Sequence, residues 1–73
     1  MFTQILIEIR DIDEGSKILA RQYTHSPHPE ARRLAAYRLV DDLPHHDYQD
    51  VYVVERVVIN GDVMPDTIKK YSL

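Results

Sequence analysis

The stretch VYVVERVVI at residues 51–59, followed at once by Asn60-Gly61, constrains this chain more than any other feature. A run this rich in β-branched side chains suits a pleated, half-buried surface. Asn-Gly suits a two-residue hairpin turn, because both central positions of that turn need positive φ. The chain must therefore build a sheet around one long strand, with a short return from Asp62 that Pro65 ends or edges. A second strand is written in Thr3–Arg10, where Thr3, Ile5, Ile7 and Ile9 alternate on one face.

Between these strands the sequence reads DIDEGS, with Gly15 as a turn residue, and then Lys17–His25. That segment has the length of a strand or a short helix. The turn before it and the alternation of Ile18, Ala20, Gln22 and Thr24 favour the strand. Ser26-Pro27 next predicts a helix start, with Ser26 as N-cap and Pro27, Pro29 and Glu30 in the first turn. The helix should reach about Leu43 and stop before Pro44, which disfavours helix in its predecessor. Ala35, Ala36, Leu39, Val40 and Leu43 then form one apolar stripe, with Leu34 and Tyr37 off it. The terminal DTIKKYSL fits an edge strand or a frayed last turn.

The element order is ββαβ(β), which predicts an α+β fold: a small antiparallel sheet of order 2-1-3-4 with one helix packed on one face. This order puts the two most apolar strands in the centre. It leaves the charges around Lys17–Arg21 and Lys69–Lys70 at the edges, where charge discourages edge-to-edge aggregation.

With 73 residues the sequence accounts for a single small domain, and with no cysteine it has no disulfide, thiolate metal site or thiol nucleophile. The opening MFTQILIEIR lacks the basic start and long apolar run of a signal peptide. No apolar run approaches the roughly 18 residues of a membrane span. A cytoplasmic location is the expectation. Net charge is −3; residues 1–36 balance five bases with five acids, whereas residues 37–73 set four bases against seven acids. This balance argues against nucleic acid as a partner, since phosphate binding needs a basic footprint.

Few residues look like chemistry. His25 and His28 stand at one end of the expected helix and His45 and His46 at the other. At 1.5 Å per residue roughly 24 Å separates them, so they cannot share an ion within one chain. His45, His46 and Asp47, helped by Asp41 or Asp42, could hold a divalent ion. Structural zinc wants four placed ligands, however, and protonated histidines past a helix C-terminus favour its dipole without any metal. The expectation is two helix ends, with no metal, no cofactor and no catalytic residue. Ser16, Ser26 and Ser72 lack a nucleophile elbow, and two glycines cannot make a phosphate loop.

Arg32, Arg33 and Arg38 are the nucleic-acid candidates, but they point about 100°, 200° and 340° around the helix and form no single stripe. Glu55 interrupts the apolar face of residues 51–59, where a cross-strand ion pair with Arg10 or Lys17 would satisfy it.

One helix covers one face of a sheet, yet both faces carry apolar residues. With Ile5, Ile7, Ile9, Val51, Val53, Val57 and Ile59 toward the helix, the other face keeps Phe2, Leu6, Tyr52, Val54 and Val58, with Arg56 among them. Such surface marks an interface. A second copy, another protein, or the tail with Ile68, Tyr71 and Leu73 would cover it. The sequence thus predicts a non-enzymatic protein-interaction domain, a homodimer or a partner binder, with Leu6, Tyr52, Val54, Arg56 and Val58 as its binding residues. An inhibitor of the phage or mobile-element type would suit this size. The alternatives are a nucleic-acid module that gathers its helix arginines by dimerisation, and a metal-dependent enzyme at His45 and His46.

Overall fold

Ile7 and Ile9 on one strand face Glu55 and Val53 on another, and this pairing organises the molecule. The computed structural model describes residues 3–73. Its strands are β1 (Thr3–Asp11), β2 (Ile18–Thr24), β3 (Val51–Ile59), β4 (Asp62–Val63) and β5 (Lys69–Tyr71), with one helix, α1 (Pro29–Asp41), between β2 and β3. The sheet runs β2-β1-β3-β4, all antiparallel, and β5 takes the same edge of β3 as β4 does, nearer the start of that strand. The fold is α+β, in the strand order that the sequence predicts. The tail settles as an edge strand. Between β4 and β5 a short turn at Pro65–Thr67 keeps the edge of β3 bonded, because the Val57 N–H donates to Thr67 Oγ1 at 3.0 Å.

Asn60 and Gly61 make the β3–β4 turn at φ 51° and 86°, with Ile59 and Asp62 paired across it. Both positions are left-handed, as a type I′ hairpin requires. In the β1–β2 turn, Gly15 and Ser16 take φ 62° and 63°. A bulge follows, since Ile9 faces Ala20 but Arg10 faces Ile18, so Leu19 is the extra residue. This breaks the simple alternation expected of β2. Ala20, Gln22 and Thr24 share the helix side, while Ile18 lies opposite and Leu19 packs on the core.

The helix begins two residues later than the sequence suggests. His28, not Ser26, is the N-cap, at φ −90° and ψ 116°, and makes no side-chain cap bond. The two prolines explain it. A residue before proline is pushed out of the helical region, so Pro27 holds Ser26 extended and Pro29 does the same to His28. Only from Pro29, at the first helical position, can the helix propagate. Ser26 instead accepts the His28 N–H at 3.3 Å and donates its own N–H to Thr24 Oγ1.

The core lies between α1 and one face of the sheet: Ile7, Ile9, Val51 and Val53 against Ala36 and Val40, with Ala35, Leu39 and Leu43 packed around them. Each fully buried aliphatic side chain there stabilises the fold by roughly 1.5–3 kcal/mol. Ala36, with no exposed surface, lets the helix approach the sheet closely. Tyr71 and Leu73 join this same core. The tail therefore packs on the helix side and does not cover the opposite face. The core fades toward the end of β3, where Val57 and Ile59 stay half-buried.

Candidate protein-binding face

Residues directly opposite in an antiparallel pair point to the same side. The side away from α1 is thereby fixed: Leu6 lies between Tyr23 and Arg56, Glu8 between Arg21 and Val54, and Arg10 between Ile18 and Tyr52. Lys70 extends the second row beyond Val54, and Val63 lies beside Val58. Among the described residues no helix lies on this face.

Its middle is an ion-pair network. Glu8, buried, accepts at Oε1 from Arg10 Nη2 at 2.9 Å and from Arg56 Nε at 3.1 Å. Arg10 also donates from Nη1 to the Ser16 carbonyl at 3.3 Å, while its buried Nε has no partner among the described residues. Tyr52 donates its hydroxyl to Ser16 Oγ at 2.7 Å, so the β1–β2 turn closes that end of the face.

The five residues expected to bind a partner do share this face, but they are not equally available. Leu6, Val54 and Val58 are only 5%, 2% and 3% exposed within the single chain. Longer side chains flank two of them, Tyr23 and Arg56 beside Leu6 and Glu8 and Lys70 beside Val54. Tyr52 and Arg56 are half-buried, and the exposed side chains of the face are Arg21 and Tyr23 with Lys70, Ile18 and Val63 on the edge strands. Phe2 falls outside the described residues. Tyr23, 50% exposed, Arg21 and Lys70 also belong to the face. The alternation of Arg21 and Tyr23 with Ala20, Gln22 and Thr24 was the signal for the first two.

The helix arginines do not gather into one basic surface. Arg32 turns inward and donates from Nε to Glu55 Oε1 at 3.1 Å and from Nη1 to the Ser26 carbonyl. Glu55, buried on the helix side, takes its second bond from the Tyr71 hydroxyl at 2.7 Å. Its partners thus come from α1 and β5, not from Arg10 or Lys17. Burial and the Glu55 carboxylate together raise the Tyr71 hydroxyl pKa far above its usual value. Arg33 lies over the Tyr37 and Tyr71 rings and donates to the Ser72 carbonyl. Arg38 is exposed.

The histidines also separate. His46 places Nδ1 2.9 Å from the Pro44 carbonyl and Nε2 3.3 Å from Asp11 Oδ2. Two acceptors around one ring favour the imidazolium, so the Pro44 carbonyl, and then Asp11, hold its pKa above the usual 6.5. Asp11 is held below 3.8, chiefly by the Asp13 N–H and further by the Glu14 N–H and His46. His46 is therefore a latch between β1 and the segment entering β3, not a helix-end charge. His25 Nδ1 lies 3.3 Å from the Thr3 carbonyl. Among the described residues no three side chains are grouped to hold a metal ion. No helix is long and apolar enough to cross a membrane. No family model, curated protein or solved structure matches the chain.

Proposed function

We propose that this chain is a non-enzymatic protein-binding domain of the cytoplasm that presents the helix-free face of its sheet to a partner. One observation carries the reading: among the described residues no helix covers that face, yet its Arg10, Arg56 and Tyr52 side chains are already held in place by Glu8 and Ser16. Side chains ordered before contact lose less entropy on binding. Arginine and tyrosine, represented there by Arg21, Tyr23, Tyr52 and Arg56, are also residues enriched at binding hot spots. Both ring nitrogens of His46 are engaged, which supports a structural role for it over that of a general base. The partner is a second copy or a different protein.

The test is affinity capture from extracts of the native host with two altered baits. One carries Arg21→Gln/Tyr23→Ala on the sheet face; the other carries Leu34→Glu/Arg38→Glu on the outer side of α1. A specific partner kept by the helix bait and lost by the sheet bait supports the reading. The opposite pattern overturns it.

A further inference from the structure

The charge of the sheet face opposes the charge of the chain. Four cations, Arg10, Arg21, Arg56 and Lys70, share it with a single carboxylate, Glu8. The whole chain is nonetheless net −3, so all the remaining excess of acid lies elsewhere. Much of it gathers at one end, where Asp11, Asp13, Glu14 and Asp50 surround a shallow pocket with His45 and His46.

From this polarity we infer that the open face takes an acidic segment of a different protein, an inference that rests on the face being the binding surface. A second copy fits poorly. A two-fold dimer through this face would set four cations against four, and the exposed apolar side chains that could offset that repulsion, Ile18, Tyr23 and Val63, stand on the two edge strands, away from the shielded centre of Leu6, Val54 and Val58. A carboxylate-rich chain meets the opposite situation. Glu8 holds Arg56 through Nε, and the two Nη groups of Arg56 make no bond among the described residues. That end of a guanidinium is a ready-made fork for a carboxylate. Arg21 and Lys70 are exposed and have no ion pair among the described residues. They flank Glu8 and Val54 in one row across four strands, about 14 Å apart at ~4.8 Å per strand. A short peptide segment spans that distance.

A polynucleotide fits less well than an acidic protein segment. Single-strand binders stack successive bases on aromatic rings. Among the described residues Tyr23 is the exposed ring of this face, whereas Tyr52 is half-buried with its hydroxyl held by Ser16. A longer polyanion leaving the face at the Arg10 end would also run into the acidic pocket.

The experiment titrates the protein with three fluorescent probes of similar length: a peptide alternating Glu and Val, its Gln and Val counterpart, and a single-stranded oligothymidine. Amide chemical shifts locate binding. The Glu peptide should bind best and shift residues of the sheet face, and should release as salt shortens the Debye length below ~10 Å. Arg21→Gln/Lys70→Glu should weaken it roughly tenfold, about 1.4 kcal/mol, with an unchanged melting temperature. Should that variant melt early, Lys70→Glu alone serves, because residue 70 lies at the sheet edge opposite Val54. Equal affinity for the Gln peptide, tighter binding of oligothymidine, no binding of the Glu peptide, or no effect of the variant overturns the acidic specificity. A salt-resistant dimer with shifts on this face overturns it too but leaves the face as the binding surface. Shifts confined to Arg33 and Arg38 sink both ideas.

Discussion

Arg56 donates from Nε to Glu8 Oε1 at 3.1 Å across the two central strands, on the side away from α1. Arg10 shares the same oxygen at 2.9 Å, so one buried carboxylate orients two guanidinium groups. Removing that carboxylate leaves two partly buried cations facing each other. Glu8→Ala should therefore lower stability by about 2 kcal/mol, within the usual cost of an unsatisfied buried polar group. Glu8→Gln, which keeps one acceptor, should lose less. Urea denaturation of both variants measures this, and an unshifted midpoint for Glu8→Ala would show that the arginines find water instead.

The helix start gives a prediction of the opposite sign. His28 occupies the N-cap with extended backbone and no side-chain cap bond, while the Arg32 N–H already bonds its carbonyl. His28→Asp supplies the missing acceptor and a negative charge at the positive end of the helix dipole, and should stabilise by about 1 kcal/mol. Ser26→Ala, which removes only the acceptor for the His28 N–H, should cost less than a lost cap. A loss of about 1 kcal/mol or more for Ser26→Ala would place the helix start at Ser26 after all.

The strands, their order and the Asn60-Gly61 turn were legible because each rests on local pattern: alternation in Thr3–Arg10, β-branching in residues 51–59, and positive φ at two adjacent positions. The apolar stripe Ala35, Ala36, Leu39, Val40 and Leu43 was legible for the same reason and meets the core as expected. The helix start was misplaced because Ser26 satisfies the capping pattern while the paired prolines act through their predecessors. The ion pairs were out of reach. Glu8 and Arg56 are 48 residues apart, and only the strand register brings them together. Arg32 meets Glu55 only because α1 lies at one particular height over β3. The register likewise decides that Tyr23 and Arg56 stand beside Leu6, and Glu8 and Lys70 beside Val54.

The His46 latch makes stability depend on pH in a stated direction. Its folded pKa lies above the ordinary 6.5, so the latch contributes fully below that value and is lost as pH rises through the folded pKa. Asp11 works at the other limit. Its folded pKa lies below 3.8, so its contribution is present above that value and lost as pH falls through the folded pKa. Melting temperature should drop between mildly acidic and mildly alkaline buffer in the wild type, and this drop should shrink in His46→Gln. Nuclear magnetic resonance titration of the His46 ring supplies the pKa itself. A ring that titrates below 6.5 would contradict the latch.

On the other face Tyr71 anchors the C-terminal strand to Glu55. Tyr71→Phe keeps the ring that packs on the core and removes only the hydroxyl, leaving one carboxylate oxygen without its donor. The expected loss is about 1.5 kcal/mol, typical of a hydrogen bond to a charged group. Amide exchange should show β5 opening more readily while β1 and β2 keep their protection. Uniformly faster exchange would mean that the bond supports the whole domain and not its edge.

Val53 and Val54 are neighbours with almost no exposed surface, 0% and 2%, yet their burial has different causes. Val53 faces α1 within the apolar core beside Ile9 and Val51. A carboxylate there has no donor in reach and must either pull in water or break the helix contact, at a cost that exceeds the margin of a small domain. Val54 faces away from α1, with Lys70 directly opposite on one side and Glu8 on the other. A carboxylate at this position can tilt toward Lys70 and solvent, because no helix seals it in. Val53→Asp should unfold the chain, whereas Val54→Asp should keep its circular dichroism spectrum with a lowered melting temperature. The reverse order would mean that the helix-free side holds the core.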